Sequence, residues 1–269
     1  MNRIEKRFAA LREDGRTALI PFVTAGDPSL EATVPVLHAL VDAGADLLEV
    51  GVPFSDPMAD GPTIQRSSER ALARGAGLGF VFDCVRRFRD DDDQTPVVLM
   101  GYLNPVEIRG ADRFAAEAAS AGVDGVLLVD LPPEEAAEFR PAFEAQGLAL
   151  VLLASPTTTE ARMRLLCADA AGYLYYVSFA GVTGSSERLD TAAASDRLRT
   201  IRAASGVPVV AGFGIKDAET ARAMARDADG VVVGSALVAA LSEARDPEEA
   251  CKRAKAFLDP LRAALDDGS

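Results

Sequence analysis

The chain has 269 residues, of which 49% are hydrophobic, so it can bury one large core and is neither disordered nor a minimal domain. Its 28 basic and 41 acidic side chains give a net charge of −13, which argues against nucleic acid and anionic membranes as partners. No apolar run is long enough to span a bilayer, and the opening segment MNRIEKRFAALRED lacks the apolar core of a signal peptide.

The cysteine and histidine content restricts the chemistry further. Cys84, Cys167 and Cys251 are too widely spaced for a CxxC metal site or a disulfide framework, so we expect a reducing, cytoplasmic location. His38 is the single histidine of the sequence, which excludes histidine-based metal sites and argues against a Ser-His-Asp triad. Chemistry must therefore come mostly from carboxylates, hydroxyls and backbone groups, and we expect no metal.

The predicted elements alternate between short apolar strands and longer helices along the whole chain. An extra helix over residues 2–14 comes first, and a helical tail over residues 247–264 comes last. The predicted strands cover residues 18–24, 47–52, 96–101, 125–130, 148–154, 173–178, 207–212 and 230–234. Helices between them include residues 30–43, 111–121, 134–146 and 218–226.

Eight strands alternating with helices predict an α/β fold, a (β/α)₈ TIM barrel with an extra N-terminal helix, as a single domain over residues 1–269. A doubly wound open sheet is the alternative, although it usually needs fewer strands. Three segments, 43–53, 121–132 and 227–236, repeat the order helix end, aspartate, strand and a Pro- or Gly-bearing loop, which favours the barrel. Asp27, Pro28 and Ser29 predict the start of the helix at residue 30.

Glu49 is a carboxylate inside an apolar predicted strand. Burial there raises the pKa of such a group and allows it to donate or shuttle a proton near neutral pH. A structural salt bridge to a buried arginine is the alternative, but none of the eight predicted strands contains a basic residue. The segment after this strand carries Asp56 and Asp60, which could reach over the barrel mouth or serve in an Asx turn or helix N-cap.

Glycines follow the last three predicted strands, at 181–184, 212–215 and 234–235. At these strand ends, backbone N–H groups and a helix N-terminus form the usual barrel phosphate site without a basic side chain. Each glycine taken singly could also simply end a strand. Residues 179–189 are long enough for a mobile lid. Three tyrosines clustered at the sixth strand, Tyr173, Tyr175 and Tyr176, favour at least one aromatic wall near the mouth, the alternative being core packing.

These residues resemble a known family, that of the tryptophan synthase α subunit. The segment LEVGVPFSDPMADGPTIQ (48–65) is similar to the family's signature. Other landmarks follow in the family's order: PFVTAGDP (21–28), MGYLNP (100–105), YYVSFAGVTG (175–184), GFGI (212–215) and VGSA (233–236). The resemblance extends from residue 1 to about residue 266.

The resemblance implies a lyase that cleaves indole-3-glycerol phosphate to indole and glyceraldehyde 3-phosphate, the α reaction of tryptophan biosynthesis. It also implies an α₂β₂ heterotetramer in which indole passes to a β subunit. Pyridoxal phosphate is expected in that partner, and no cofactor in this chain. By the same resemblance Glu49 is the acid and base, and Asp60 is the carboxylate that pairs with the indole N–H.

The resemblance also assigns binding roles. Implied pocket residues are Phe22, Ile64, Leu127 and Phe213, with Tyr102 and Tyr175 at the mouth; implied phosphate ligands are Gly184, Gly214, Gly234 and Ser235; and Thr183 is an implied lid residue that closes onto Asp60. The pair Phe179-Ala180 departs from the basic or hydroxyl-bearing pair common in the family, which puts the contacts of a closed lid in question.

Three alternative functions stay open at this point. A sugar-phosphate epimerase or isomerase would usually need a metal or a Lys/His pair at the strand ends, which this sequence does not offer. A non-catalytic regulatory barrel subunit would predict the loss of the carboxylates, yet Glu49 and Asp60 are both present. A free-standing indole-3-glycerol phosphate lyase of the same fold is also compatible with the sequence.

Overall fold

The computed structural model describes residues 2–177, 191–212 and 214–267, except for the side chains of residues 191–194. The strands in these ranges are β1 (Ala18–Thr24), β2 (Leu48–Gly51), β3 (Val97–Gly101), β4 (Gly125–Leu128), β5 (Ala149–Ala154), β6 (Leu174–Val177), β7 (Val209–Gly212) and β8 (Gly230–Val233). They are parallel, pair in chain order and close where β8 pairs with β1. The predicted (β/α)₈ barrel is therefore confirmed.

Helices surround the barrel. Their bounds are α1 (Arg3–Glu13), α2 (Thr33–Asp42), α3 (Pro62–Ala73), α4 (Leu78–Arg89), α5 (Leu103–Arg109), α6 (Ala111–Ala121), α7 (Ala136–Ala145), α8 (Glu160–Asp169), α9 (Thr191–Ala204), α10 (Ala218–Ala225), α11 (Ser235–Ser242) and α12 (Pro247–Asp266). The predicted N-terminal helix is present as α1. Within the described ranges, no helix is long and apolar enough to cross a bilayer.

The start predicted for α2 is wrong by three residues. The Ser29 hydroxyl oxygen accepts a 3.2 Å hydrogen bond from the Ala32 N–H, but Ala32 and not Ser29 is the N-cap of α2. That bond closes a turn over residues 30–32, and regular helix begins after it, at Thr33. The Asp-Pro-Ser signal therefore marks a turn that precedes the helix, and helix boundaries shift by this much when a turn intervenes.

Strand alternation divides the core into two layers. In β2, Leu48 and Val50 pack outward against the helices, whereas Glu49 and, just before the strand, Leu47 face the barrel interior, because successive extended residues point to opposite faces. The interior cluster also contains Ile4 and Phe8 of α1. The extra N-terminal helix therefore closes the amino end of the barrel and leaves the carboxyl end for a site.

The repeated segments of the sequence share an aspartate at the amino end of a strand. Each of these aspartates accepts a 2.8 Å hydrogen bond from a backbone N–H at the start of the preceding strand. The pairs are Asp46 with Leu19, Asp124 with Val97, and Asp229 with Val209. Arginines neutralise these carboxylates, for example Arg89 at 2.8 Å from Asp124. We call the three groups the aspartate clamps; they join β1 to β2, β3 to β4 and β7 to β8.

Candidate active site

A cavity of about 390 Å³ opens at the carboxyl end of the barrel, a volume within the range usual for small-molecule sites. Eight residues predicted from the sequence line it: Phe22, Glu49, Asp60, Ile64, Tyr175, Gly214, Gly234 and Ser235. The sequence reasoning did not single out the aliphatic wall, which is formed by Met100, Val129, Leu153, Val177 and Val232. The cavity thus combines two carboxyl groups, an apolar wall and a glycine-rich end.

Glu49 is fully buried and lines this cavity. Its Oε1 accepts a 2.6 Å hydrogen bond from the Tyr173 hydroxyl, and its Oε2 has no hydrogen-bond partner among the described residues. Burial raises the pKa of Glu49 from 4.5 to about 7, against the lowering effect of the Tyr173 bond. A carboxyl group with this pKa can both give and take a proton at neutral pH.

Tyr173 is the most informative residue that the sequence reasoning did not assign. The sequence shows it only as one of three aromatic residues at the sixth strand, because its contact with Glu49 bridges 124 positions of sequence. Tyr173 lies in the interior cluster, with Tyr175 two residues further along, and Glu49 is fully buried beside it. Burial and the neighbouring carboxylate raise the pKa of Tyr173 well above its usual value, so its hydroxyl stays a donor. Strand alternation could have placed Tyr173 and Tyr175 on one face, but not opposite Glu49.

Asp60 lies in the segment between β2 and α3 and is half-buried. Its Oδ2 accepts a 3.1 Å hydrogen bond from the Tyr102 hydroxyl, which itself accepts one from the Ala59 N–H at 3.0 Å. The Gln65 side-chain amide donates to the backbone oxygen of Asp60 at 2.8 Å. Burial raises the pKa of Asp60 from 3.8 to about 6, partly offset by Tyr102. Tyr102 and Gln65 therefore hold the carboxylate at the cavity.

The second carboxylate of that segment, Asp56, is placed differently. It is exposed, does not line the cavity and accepts a 2.5 Å hydrogen bond from the neighbouring Ser55 hydroxyl. Its backbone oxygen accepts from the Met58 N–H at 2.8 Å. Asp56 thus lies in a backbone turn outside the cavity. Among the described residues its side chain accepts from the Ser55 hydroxyl and not from a backbone N–H, so neither the Asx turn nor the N-cap is observed, and the N-cap of α3 is Gly61.

Two glycines make room for the aromatic walls of the cavity. A Cβ on Gly51 would lie 2.6 Å from Cζ of Phe22, and a Cβ on Gly212 would lie 1.9 Å from the hydroxyl oxygen of Tyr175. Both distances are far below van der Waals contact, so a side chain at either position would displace the ring. The glycines at the ends of β2 and β7 are therefore needed for the shape of the site.

The glycine-rich end of the cavity meets the start of α11. Gly234 is the N-cap of this helix, and Ser235 and Ala236 begin it; all three line the cavity. The first N–H groups of a helix have no partner within the helix and carry partial positive charge, which suits an anion. Lys216, exposed at the rim, also lines the cavity. The sequence reasoning had considered a phosphate site without any basic side chain and did not single out this lysine.

Some predicted site residues lie elsewhere. Leu127 is fully buried in the interior cluster but does not line the cavity, because Val129, two residues further along the chain, lies above it towards the mouth. Tyr102 borders a smaller adjoining cleft and reaches the site through Asp60. Thr183, Gly184 and Phe213, together with Phe179-Ala180 and the predicted lid over 179–189, lie outside the described residues.

The described part of the chain contains no group of three or more His, Cys, Asp or Glu side chains that could hold a metal ion. The titratable groups at the cavity are instead the two carboxyls, the tyrosine hydroxyls and Lys216. The carboxyl and hydroxyl groups can transfer protons and stabilise a positive charge that develops on a bound ligand. The helix N-terminus and Lys216 favour an anionic group at the other end of that ligand.

Comparison with known proteins gives the same family over nearly the whole chain. The family model for the tryptophan synthase alpha chain matches residues 8–266. The tryptophan synthase alpha chain of Xanthomonas axonopodis pv. citri (strain 306) is 72% identical over 268 residues, covering 100% of both chains. That of Xanthomonas oryzae pv. oryzae (strain PXO99A) is 72% identical over 266 residues, covering 99% of each.

Solved structures agree. The tryptophan synthase subunit alpha from Legionella pneumophila str. Paris superposes with a TM-score of 0.91 at 44% identity, covering 99% of both chains. A structure of the tryptophan synthase a2b2 complex from Pyrococcus furiosus matches with a TM-score of 0.85 at 40% identity, covering 92% of this chain and 98% of that one. The chain therefore belongs to the tryptophan synthase alpha chain family and is a lyase that cleaves indole-3-glycerol phosphate, the alpha reaction of tryptophan biosynthesis.

Proposed function

We propose that Glu49 and Asp60 divide the acid–base work of this cleavage between them. The bond to be broken joins C3 of the indole ring to a glycerol carbon, and it breaks readily once C3 has gained a proton and the ring has become an indoleninium. Glu49 in its protonated form delivers that proton. The observation that carries the proposal is the buried Glu49 carboxyl, with a pKa of about 7 and with Oε2 unpartnered among the described residues.

Asp60 acts on the other side of the ring in this proposal. In its ionised form it accepts a hydrogen bond from the indole N–H and stabilises the positive charge that develops on the nitrogen. A proton that passes to Asp60 at this stage returns to the nitrogen as the carbon–carbon bond breaks, because the product indole keeps its N–H. Glu49, now ionised, removes the proton of the glycerol hydroxyl, and the electrons of the carbon–carbon bond return to the ring. Indole and an aldehyde leave, and Glu49 is protonated again, so the step is balanced and needs no cofactor from this chain.

The phosphate group is the anchor of the substrate in this scheme. The N-terminus of α11, with Gly234 and Ser235, supplies backbone donors, and Gly214 lies beside them at the cavity. Lys216 adds a full positive charge at the same rim. The aromatic and aliphatic wall formed by Phe22, Tyr175 and their aliphatic neighbours would hold the indole ring between the carboxyls.

We also propose a β subunit as partner, docked over the mouth. Two large apolar side chains are exposed in the segments after β2 and β3, Met58 at 85% and Ile108 at 81%. Exposed apolar groups of this size at a functional rim favour a protein interface. An α₂β₂ assembly, with pyridoxal phosphate in the partner, would use this face to take up indole. The chain would act as one domain in the cytoplasm, without nucleic acid or membrane.

The test is the release of indole from indole-3-glycerol phosphate by the purified chain, with and without a β subunit. We expect Glu49→Gln and Asp60→Asn each to lower the rate by about 10²–10⁴-fold, because general acid–base groups contribute on that scale. Glu144→Gln, at an exposed position on α7 away from the cavity and from Met58 and Ile108, is the matched control. Near-normal rates in either carboxylate variant, on folded protein, would refute the assignment. A rate for the isolated chain equal to that of the complex would favour a free-standing lyase.

A further inference from the structure

A second cavity, of about 420 Å³, lies at the amino end of the barrel, opposite the active site. Thr17, Pro208 and Asp229 border it just before β1, β7 and β8, which fixes its position under the strands. We call it the basal arginine pocket, after the five arginines that line it: Arg12, Arg16, Arg202, Arg222 and Arg226. One carboxylate, Asp229, lines it as well.

The positive charge of this pocket is only partly neutralised. Arg202 pairs with Asp229 at 2.7 Å, and Arg16 pairs with Asp266 at 3.2 Å. Arg222 donates a 3.2 Å hydrogen bond to the backbone oxygen of Ala264, which does not neutralise the charge of its guanidinium group. Arg12 and Arg226 form no ion pair or side-chain hydrogen bond with any described residue.

A helix has partial negative charge at its C-terminal end, and one nearby arginine is enough to complement it. This effect explains one arginine at the end of α1 and one at the end of α10. α10 has two, Arg222 in its last turn and Arg226 at its C-cap. This excess is unexpected on a chain with a net charge of −13, because most of the surface is acidic. A concave site with unpaired guanidiniums concentrates positive potential and attracts anions.

The floor of the pocket is apolar. Phe8, Leu11 and Leu265 line it, each with less than 5% of its surface exposed, and Pro208 lies beside them. Guanidinium groups bind phosphate through paired hydrogen bonds and also stack on planar rings. The combination of unpaired arginines above an apolar floor therefore selects an anion that has a flat or apolar body.

We propose that the basal arginine pocket binds a small organic phosphate, a dianion with an aromatic or apolar part, independently of the active site. Arg12, Arg222 and Arg226 hold the phosphate, and the Phe8 and Leu11 floor takes up the apolar part. The two anion sites of the chain then differ in kind: the active site uses helix N–H groups and one lysine, and the basal pocket uses guanidinium groups.

The experiment is a calorimetric titration of the full chain with phenyl phosphate at low ionic strength. Three proteins are compared: the unmodified chain, Arg12→Gln/Arg226→Gln, and Arg87→Gln/Arg164→Gln, a control that removes two exposed arginines outside the pocket. All titrations are repeated with Gly234→Asp added to each protein, because a carboxylate at the N-terminus of α11 competes with a phosphate in the active site and lies outside the basal arginine pocket. Because the substituted arginines are exposed and form no ion pair with a described residue, melting temperatures should fall only slightly, through the loss of favourable charge at the helix ends.

We expect phenyl phosphate binding that persists in the Gly234→Asp background, that weakens about tenfold or more in Arg12→Gln/Arg226→Gln, and that changes less than twofold in the control. Inorganic phosphate should bind more weakly than phenyl phosphate, and benzyl alcohol should not bind. Equal binding by the basal variant and the unmodified chain would overturn the proposal, as would binding that Gly234→Asp abolishes. If the double variant loses stability, Arg226→Gln alone gives the same comparison.

Discussion

The Tyr173 hydroxyl donates a 2.6 Å hydrogen bond to one oxygen of Glu49, while the other oxygen has no hydrogen-bond partner in the described part of the chain. This bond stabilises the ionised form of Glu49, and burial destabilises it more strongly, so the pKa settles at about 7. Tyr173 therefore sets how acidic the buried carboxyl is, although its own side chain does not line the cavity.

The pH dependence of kcat/KM tests this relationship. The proposed active form has Asp60 ionised and Glu49 protonated, so activity should fall below about pH 6 and above about pH 7. In Tyr173→Phe the pKa of Glu49 loses its lowering contribution and rises, which should move the alkaline limb to higher pH and leave the acid limb in place. Tyr176→Phe, buried on the helix-facing side of β6, is the control. An alkaline limb that stays fixed in Tyr173→Phe would contradict the role of Tyr173.

The stability of the protein should also depend on Glu49. The unfolded chain releases the Glu49 proton near pH 4.5, whereas the folded chain keeps it until about pH 7. The raised pKa therefore costs stability as pH rises between these values, and above pH 7 the full cost is about 3 kcal/mol. Glu49→Gln should unfold at higher urea than the unmodified chain at pH 8 and show no such gain at pH 4.5. A gain of equal size at both pH values would rule out this explanation; Glu144→Gln should show none.

Sequence reasoning identified Glu49 because one carboxylate interrupts an apolar strand, and Gly234 and Ser235 because glycines end barrel strands at a phosphate site. It could not identify the partner of Glu49, since the contact with Tyr173 depends on how the closed barrel brings β2 and β6 face to face. Lys216 was not singled out because a lysine one residue after Ile215 looks like any exposed loop residue. The order of the strands around the barrel could be predicted from their order in the sequence. The side-chain contacts across the barrel interior could not, because they depend on the curvature and register of the closed sheet.

Lys216 should contribute to substrate affinity rather than to turnover. We expect Lys216→Gln to raise KM for indole-3-glycerol phosphate about three- to tenfold with kcat nearly unchanged, because a rim charge attracts the phosphate before and during the reaction alike. The effect should shrink as salt is added, since the side chain is exposed. Lys6→Gln, on α1 at the closed end, is the control. An unchanged KM at low ionic strength would exclude a phosphate contact.

The aspartate clamps should determine stability without affecting catalysis. In Asp124→Ala the Val97 N–H loses its acceptor, and the guanidinium of Arg89, 10% exposed, loses its carboxylate. Removing one partner of a buried pair costs about 3–5 kcal/mol, so the free energy of unfolding should fall by about 3 kcal/mol or more. kcat/KM at 20 °C should be unchanged. Asp91→Ala, exposed on the turn after α4, controls for the loss of charge; equal destabilisation by both variants would show that the clamp adds nothing.

The clamps at the amino end also bear on how such a barrel can change over evolutionary time. A buried acid such as Glu49 makes the fold less stable at neutral pH, and mutations that reshape the mouth for another substrate would add to that burden. The clamps lie at the amino end of the barrel and share no residue with the active-site cavity at the carboxyl end. Selection can therefore alter the mouth of the barrel while the stability that the clamps contribute is retained. The physical separation of the two ends thus widens the range of active sites that one barrel sequence can explore before it fails to fold.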